Sequence, residues 1–225
     1  MVCRLCEHRQ PHCPAPHLAV VTGAVVIFRL ESFVLGFYSM NSVCIRLVVF
    51  LFATVFLVYV SRRPLRNPRS HGFYRFFAWE AIVALILVNI PLWFADPLSA
   101  LQILSWVLLA FSLVLLGPGV YQLFVRGRPN AHRKDDTLMA FEKTTELVTS
   151  GLYRYIRHPL YGSLLFLAWG AFLKDVTWYS TCLVVLSTAG LVATAKADEK
   201  ECIQFFGSSY NDYMSRTRMF VPWIW

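Results

Sequence analysis

Residues 151–162 read GLYRYIRHPLYG and stand immediately before an apolar run. Arg154, Arg157 and His158 share this short stretch with Tyr153, Tyr155 and Tyr161. Ser150 and Gly151 permit a turn, and Pro159 fits the first turn of a helix beginning near Leu160. The free amides at such a helix start suit an anion such as a carboxylate. Tyrosine faces can enclose a cation or stack on an adenine ring. An interfacial belt of aromatic and basic side chains explains the tyrosines and arginines equally well. It gives no reason for a His-Pro pair set between them.

A second stretch with chemical potential lies in the C-terminal tail, where Asp198, Glu199 and Glu201 leave an apolar segment and lead to Phe206-Gly207, Tyr210, Tyr213 and Pro222. On a helix Asp198 and Glu201 share a face while Glu199 turns away. A solvated helix salt-bridged through Lys196 and Lys200 is the plainer account of this cluster. An acidic group on the basic side of a membrane is nevertheless not what charge placement alone asks for.

The elements that must position these residues follow from composition. The chain has 225 residues, 57% hydrophobic and 15% charged, with a mean hydropathy of +0.52. It reads as a polytopic membrane protein forming one compact helical domain. Apolar segments occur at residues 43–60, 76–95, 98–116, 160–173 and 176–195. Gly117-Pro118-Gly119 is expected to end or kink the third, with a short apolar continuation to Val125. Lys174-Asp175 is all that separates the last two, which should form a C-terminal helical hairpin. Its first arm is short for a full crossing. The expected fold is therefore all-α, a membrane helical bundle of about five transmembrane helices. Glu80 and Asn89, polar residues within the second span, are expected to face the bundle interior.

The formal net charge of +8 does not indicate nucleic acid, because the basic residues flank apolar segments as positive-inside loops do. The basic loops at residues 61–75 and 126–158, and the C-terminus, are expected to be cytoplasmic. Residues 1–17 carry Cys3, Cys6, Cys13, His8, His12 and His17. A zinc site is one reading of them. The plainer one is a poorly defined extension over residues 1–39, since Arg29 and Glu31 interrupt the adjoining apolar stretch and each such charge costs about 2.5–3.5 kcal/mol near a helix centre. The domain proper is then residues 40–225, beginning at Met40. No spaced metal cluster occurs elsewhere in the sequence.

Taken together, LVTSGLYRYIRHPLYG and, roughly 35 residues later, the DE…FFGSSYNDY…P tail resemble the isoprenylcysteine carboxyl methyltransferase and phospholipid methyltransferase superfamily of membrane enzymes. The resemblance runs from about Glu142 to Pro222. It implies an S-adenosylmethionine-dependent methyltransferase that takes a lipophilic acceptor from the lipid bilayer into a cytoplasm-facing cofactor pocket. Carried over by motif, cofactor contacts fall on Thr145, Glu146, Leu147, Val148, Tyr153, His158, Pro159, Leu160 and Tyr161, and on the acidic pair Asp198-Glu199. His158 and Arg157 are the expected catalytic residues. Prenylcysteine enzymes carry an arginine for the substrate carboxylate where this chain has Thr194, which leaves Arg216 and Arg218 as candidates for substrate binding. The acceptor stays open between a prenylcysteine-like carboxylate, a phospholipid amine and a thiol. Two alternatives remain at this level. Sterol reductases using NADPH share the R-H-P-x-Y segment and a D-E-x-x-C tail, matched here by Asp198, Glu199 and Cys202. A non-catalytic protein on the same scaffold is the other.

Overall fold

The computed structural model describes residues 42–128, 138–139 and 142–221. The N-terminal cysteines and histidines, Met40 and Pro222 lie outside the described residues. Contacts divide the chain into Met1–Leu47, described only over residues 42–47, and Val48–Trp225, which holds every contact and site residue described below.

Among the described residues the α-helices are α1 (Ser42–Ser61), α2 (His71–Asn89), α3 (Ala100–Arg126), α4 (Pro159–Phe172), α5 (Trp178–Phe206) and α6 (Ser208–Arg216). A single 3-10 turn, Ile90–Leu92, prolongs α2. No strand occurs among them; Ile156 and Arg218 form an isolated parallel bridge. Four helices are long and apolar enough to cross a membrane: α1, α2 with its 3-10 turn, α3 and α5. The fifth apolar helix, α4, has 14 residues and is about 21 Å long at 1.5 Å per residue. That falls short of a hydrocarbon core of about 30 Å. Among the described residues there are therefore four candidate spans and one shorter apolar helix.

A short helix inside a membrane protein needs partners for its last carbonyls, because lipid offers none. The neighbours of α4 supply them. Ser105 of α3 donates to the carbonyl of Gly170 at 2.7 Å, and Asn89 of α2 donates to that of Ala171 at 2.8 Å. Ser180 in turn donates to the Asn89 side-chain oxygen at 3.0 Å. Gln102 donates to the carbonyl of Lys174 at 3.1 Å and accepts from the Lys174 ammonium at 3.0 Å, which also lies 3.4 Å from the Trp106 ring centre. Asn89 thus faces the interior, as expected for an amide at membrane depth. Glu80 is half-buried and accepts from Thr54 of α1 at 2.9 Å.

Helix α2 packs along α5 and α3 along α4, with α4 also touching α2 and α5. Ala78, Ile82 and Leu85 of α2 meet Tyr161, Ala168 and Phe172 of α4 and Val184, Leu191 and Ala195 of α5 in one core. Small residues let the backbones close up. A Cβ on Gly190 would come within 3.0 Å of Ala78, and one on Gly170 within 3.2 Å of the Ser105 carbonyl.

Two boundaries differ from the sequence expectation. Gly117-Pro118-Gly119 neither ends nor splits α3, which runs through Pro118 to Arg126. One proline costs a helix interior about 3 kcal/mol, and the packing of α3 against α4 outweighs that. Gly119 permits close approach there, since a Cβ would sit 3.0 Å from Leu160. Helix α2 begins at His71 and not near Phe76. A distant carboxylate caps it: the His71 amide donates to Glu201 at 2.8 Å.

Candidate functional site

The RHP segment is held in place from both sides. Gly151 has φ +65°, and a Cβ there would lie 2.3 Å from the Gln122 side chain of α3. Gln122 accepts from the Leu152 amide at 3.1 Å, which seats the 3-10 turn Gly151–Arg154. On the other side the tail runs alongside as a short parallel ladder. Arg218 donates to the Tyr155 carbonyl at 3.0 Å, Arg157 to that of Arg218 at 2.7 Å, and His158 to that of Met219 at 3.1 Å. The Tyr213 hydroxyl donates to the Tyr153 carbonyl at 2.6 Å. Gly207, at φ +63°, makes the turn from α5 into α6 that returns the tail to this position.

These elements line a cleft whose empty space, counted with the solvent open at its mouth, is about 830 Å³. Glu146, Leu147, Val148, Tyr153, Arg157, His158, Leu160, Tyr161 and Asp198 line it, all residues singled out from sequence. Thr145 and Pro159 do not. The Thr145 amide donates to the Gly127 carbonyl at 3.0 Å, and Pro159 is fully buried at the start of α4. Arg216 and Arg218 are exposed and are not among the lining residues.

The acidic pair splits as helix geometry requires. Asp198, Glu201 and Cys202 share the cleft face of α5, while Glu199 turns toward Arg157, whose Nε donates to it at 2.7 Å. Arg157 also donates to the carbonyls of Met214, at 3.2 Å, and Thr217. So committed, Arg157 anchors the tail to α5. His158 sits between the two carboxylates, with Nδ1 3.5 Å from Asp198 and Nε2 3.4 Å from Glu199. The second contact is an ion-pair distance without hydrogen-bond alignment, so Nε2 is buried with no hydrogen-bond partner. The ring stacks on Tyr161 at 5.3 Å between centres. Burial alone would push the His158 pKa down, but Asp198 and Glu199 outweigh it and hold it above the ordinary histidine value. The raised pKa favours the imidazolium form and makes the ring a weaker general base than an ordinary histidine. Burial pushes the phenols of Tyr153, Tyr210 and Tyr213 up, so they stay neutral and offer faces and hydroxyls.

Several site residues escaped sequence reasoning. His71 and Arg75 of α2 stand behind the cleft. His71 Nδ1 donates to Glu201 at 2.7 Å, and Arg75 pairs with Glu142. Burial pushes the Glu142 carboxyl up, but the Arg75 guanidinium and His71 overcome this and hold it below its usual value. Leu123, Phe206, Tyr210 and Tyr213 complete the walls. The only sequence signal for Arg75 is a cation at the edge of an apolar span, and its partner lies 67 residues away. His71, Asp198 and Glu201 bring donor atoms within 4.8 Å of one another. With Arg75 Nη1 at 3.5 Å from His71 Nε2, the grouping reads as a network of hydrogen-bonded pairs, since a guanidinium repels a metal cation.

Fold and site together define a helical membrane protein with a polar, tyrosine-walled cleft at one end of its bundle. Residues 108–209 match the model of the phospholipid methyltransferase family. Among curated proteins it is similar to Methanethiol S-methyltransferase 1 of Bradyrhizobium diazoefficiens, 24% identical over 149 residues, covering 66% of this chain and 49% of that protein. It is also similar to Methanethiol S-methyltransferase of a Pseudomonas species, 26% identical over 148 residues, covering 65% of this chain and 54% of that protein. The chain thus spans about half the length of the curated relatives it matches. No solved structure shows a significant match. Most of the cleft falls within the matched segment, whereas His71 and Arg75 precede it and Tyr210 and Tyr213 follow it.

Proposed function

We propose that this chain transfers a methyl group from S-adenosylmethionine to a lipophilic thiol at the cytoplasmic face of a membrane. The observation that carries the reading is Asp198. It faces the cleft with the His158 imidazole at 3.5 Å and the Cys202 thiol at 3.7 Å, and no described arginine or lysine pairs with it. Charged lining residues comprise the carboxylates Glu142, Glu146, Asp198 and Glu201 against the cations Arg157 and His158. With Glu142, Glu146 and Glu201 already paired to Arg75, Arg128 and His71, Asp198 beside the faces of Tyr153 and Tyr161 is the carboxylate that fits a ligand with sulfonium and ammonium cations. The cleft is a poor setting for polyanionic NADPH. The start of α4 at Pro159 offers amides to a carboxylate.

S-adenosylmethionine, when bound, supplies an electrophilic methyl whose thioether leaving group needs no acid catalyst. What remains for the protein is positioning and exclusion of water. Leu123, Leu147, Leu160 and Phe206 give the cleft an apolar wall for an acceptor drawn from the bilayer. The His158 imidazolium in the cleft wall favours the thiolate form of a thiol, whereas Arg157 is taken up by Glu199 and the tail. A thiolate needs no further base, in keeping with a histidine that already holds its proton. The activity named for both relatives, methylation of methanethiol, supports a thiol over an amine or a carboxylate. The basic loops at residues 61–75 and 126–158 support a cytoplasmic location for the cleft.

Calorimetry on detergent-purified protein tests the cofactor. Binding of S-adenosylmethionine, weakened by about 1.5–3 kcal/mol in Asp198→Asn, is expected. Heat on titrating NADPH with none on S-adenosylmethionine would overturn the reading. Methyl-labelled cofactor offered with an alkyl thiol, or with phosphatidylethanolamine vesicles, tests the acceptor. Label in the lipid and none in the thiol would replace thiol by amine.

A further inference from the structure

A second concavity opens on the other side of Glu201. Its lining comprises Asn67, Arg69, Ser70 and Tyr74 from the α1–α2 connection and the start of α2, and Ala193, Lys196, Ala197, Lys200, Glu201, Gln204 and Phe205 from α5. Glu201 is the one residue that lines both this groove and the cleft. Arg69, Lys196 and Lys200 are exposed, and no described carboxylate pairs with any of them. The acid within reach is already engaged, since both Glu201 oxygens accept from His71, at 2.7 Å and 2.8 Å. The groove therefore presents three unbalanced cations around a wall whose own negative charge is neutralised.

Its depth in the membrane is set by the helices that form it. Candidate span α2 begins at His71, next to Ser70. On α5 the apolar run gives way at Lys196, and Lys196 and Lys200 stand one turn apart on a single face. Ala193 and Ala197 leave the space between the two helices open, and Tyr74 and Phe205 flank it with aromatic rings. Three cations, small residues beneath them and rings beside them at the end of two spans match the phosphate, glycerol and upper acyl carbons of a lipid.

From this arrangement we propose that the groove is a binding site for the headgroup of an anionic phospholipid, held by Arg69, Lys196 and Lys200 and separate from the methyl-acceptor site. The Glu201–His71 pair stands between the two, so the lipid is a resident of the outer groove. It needs no amine or thiol, and phosphatidylglycerol, which has neither, is the matching probe. The proposal stands whether or not the chain transfers methyl groups.

The test uses the full chain in phosphatidylcholine nanodiscs titrated with fluorescently labelled phosphatidylglycerol, read by energy transfer from the protein's tryptophans. Binding is expected to saturate, and to weaken about fivefold for each cation removed in Arg69→Gln, Lys196→Gln and Lys200→Gln. Arg62→Gln with Arg66→Gln, which removes charge from the same connection but outside the groove, should leave affinity within twofold. Inorganic phosphate at millimolar concentration should not displace the lipid. Equal loss in the Arg62/Arg66 variant would show a diffuse surface charge, and unchanged affinity in the groove variants would show no site. Displacement by phosphate would show a soluble-anion site. Each of these three results overturns the proposal.

Discussion

His71 and Glu201, 130 residues apart in sequence, meet through two hydrogen bonds. The His71 amide donates to one carboxylate oxygen at 2.8 Å, and its ring nitrogen donates to the other at 2.7 Å. One side chain thereby caps α2, fixes the imidazole behind the cleft and forms the wall between cleft and groove. Glu201→Ala should lower stability by about 2 kcal/mol, the scale of hydrogen bonds to a charged acceptor. Glu201→Gln should recover part of the loss. Chemical denaturation in detergent micelles measures both, and equal stability in all three proteins would show the cap to be incidental.

The protonated state of His158 stabilises the fold, because Asp198 and Glu199 raise its pKa above the ordinary 6.5 despite the opposing effect of burial. The sign follows from linkage. The contribution is complete below pH 6.5 and is lost as pH rises through the raised value. Wild type should exceed His158→Gln in melting temperature most at acid pH, and the gap should narrow as pH increases. A gap that widens toward alkaline pH would mean that the ring is held neutral.

Gly151→Ala should destabilise the turn that seats the RHP segment. At φ +65° an L-residue is strained by about 1–2 kcal/mol, and the new Cβ would also collide with Gln122. The double variant Gly151→Ala with Gln122→Ala relieves only the collision. Thermal melts of the pair separate the backbone cost from the steric one. A full rescue by Gln122→Ala would assign the whole effect to crowding.

Asn89→Ala should cost about 0.5–1.5 kcal/mol, because it removes the 2.8 Å hydrogen bond to the buried Ala171 carbonyl, which keeps the longer one from the Lys174 amide at 3.3 Å. Asn89→Asp keeps the shape but replaces the donating amide by an acid, and should not restore the wild-type melt. If Asn89→Ala melts with wild type, the Lys174 amide satisfies the end of α4 without Asn89.

Much of this protein is legible in its sequence because lipid imposes a simple rule. A backbone in hydrocarbon must satisfy itself, so apolar runs become helices, and α1, α4 and α5 begin within two residues of where hydropathy puts them. Local chemistry is legible for the same reason of short range. Pro159 opens α4, Gly151 makes its turn, and three-residue spacing sets Asp198 and Glu201 on one face with Glu199 behind. Long-range pairing is not, because nothing local in a charged side chain names its partner. The sequence left Arg75 in a cytoplasmic loop, but α2 extends over it and Glu142 neutralises it. It expected Pro118 to interrupt α3, yet packing against α4 carries the helix through. It offered Arg157 for catalysis, while the fold spends that guanidinium on Glu199 and two carbonyls of the tail. Tertiary structure alone decided which carboxylate is most loosely held: the cation beside Asp198, His158, stands 3.5 Å away. Glu142, Glu199 and Glu201 each find a cation from another element, and Asp198 is left facing the cleft with only a histidine and a thiol beside it.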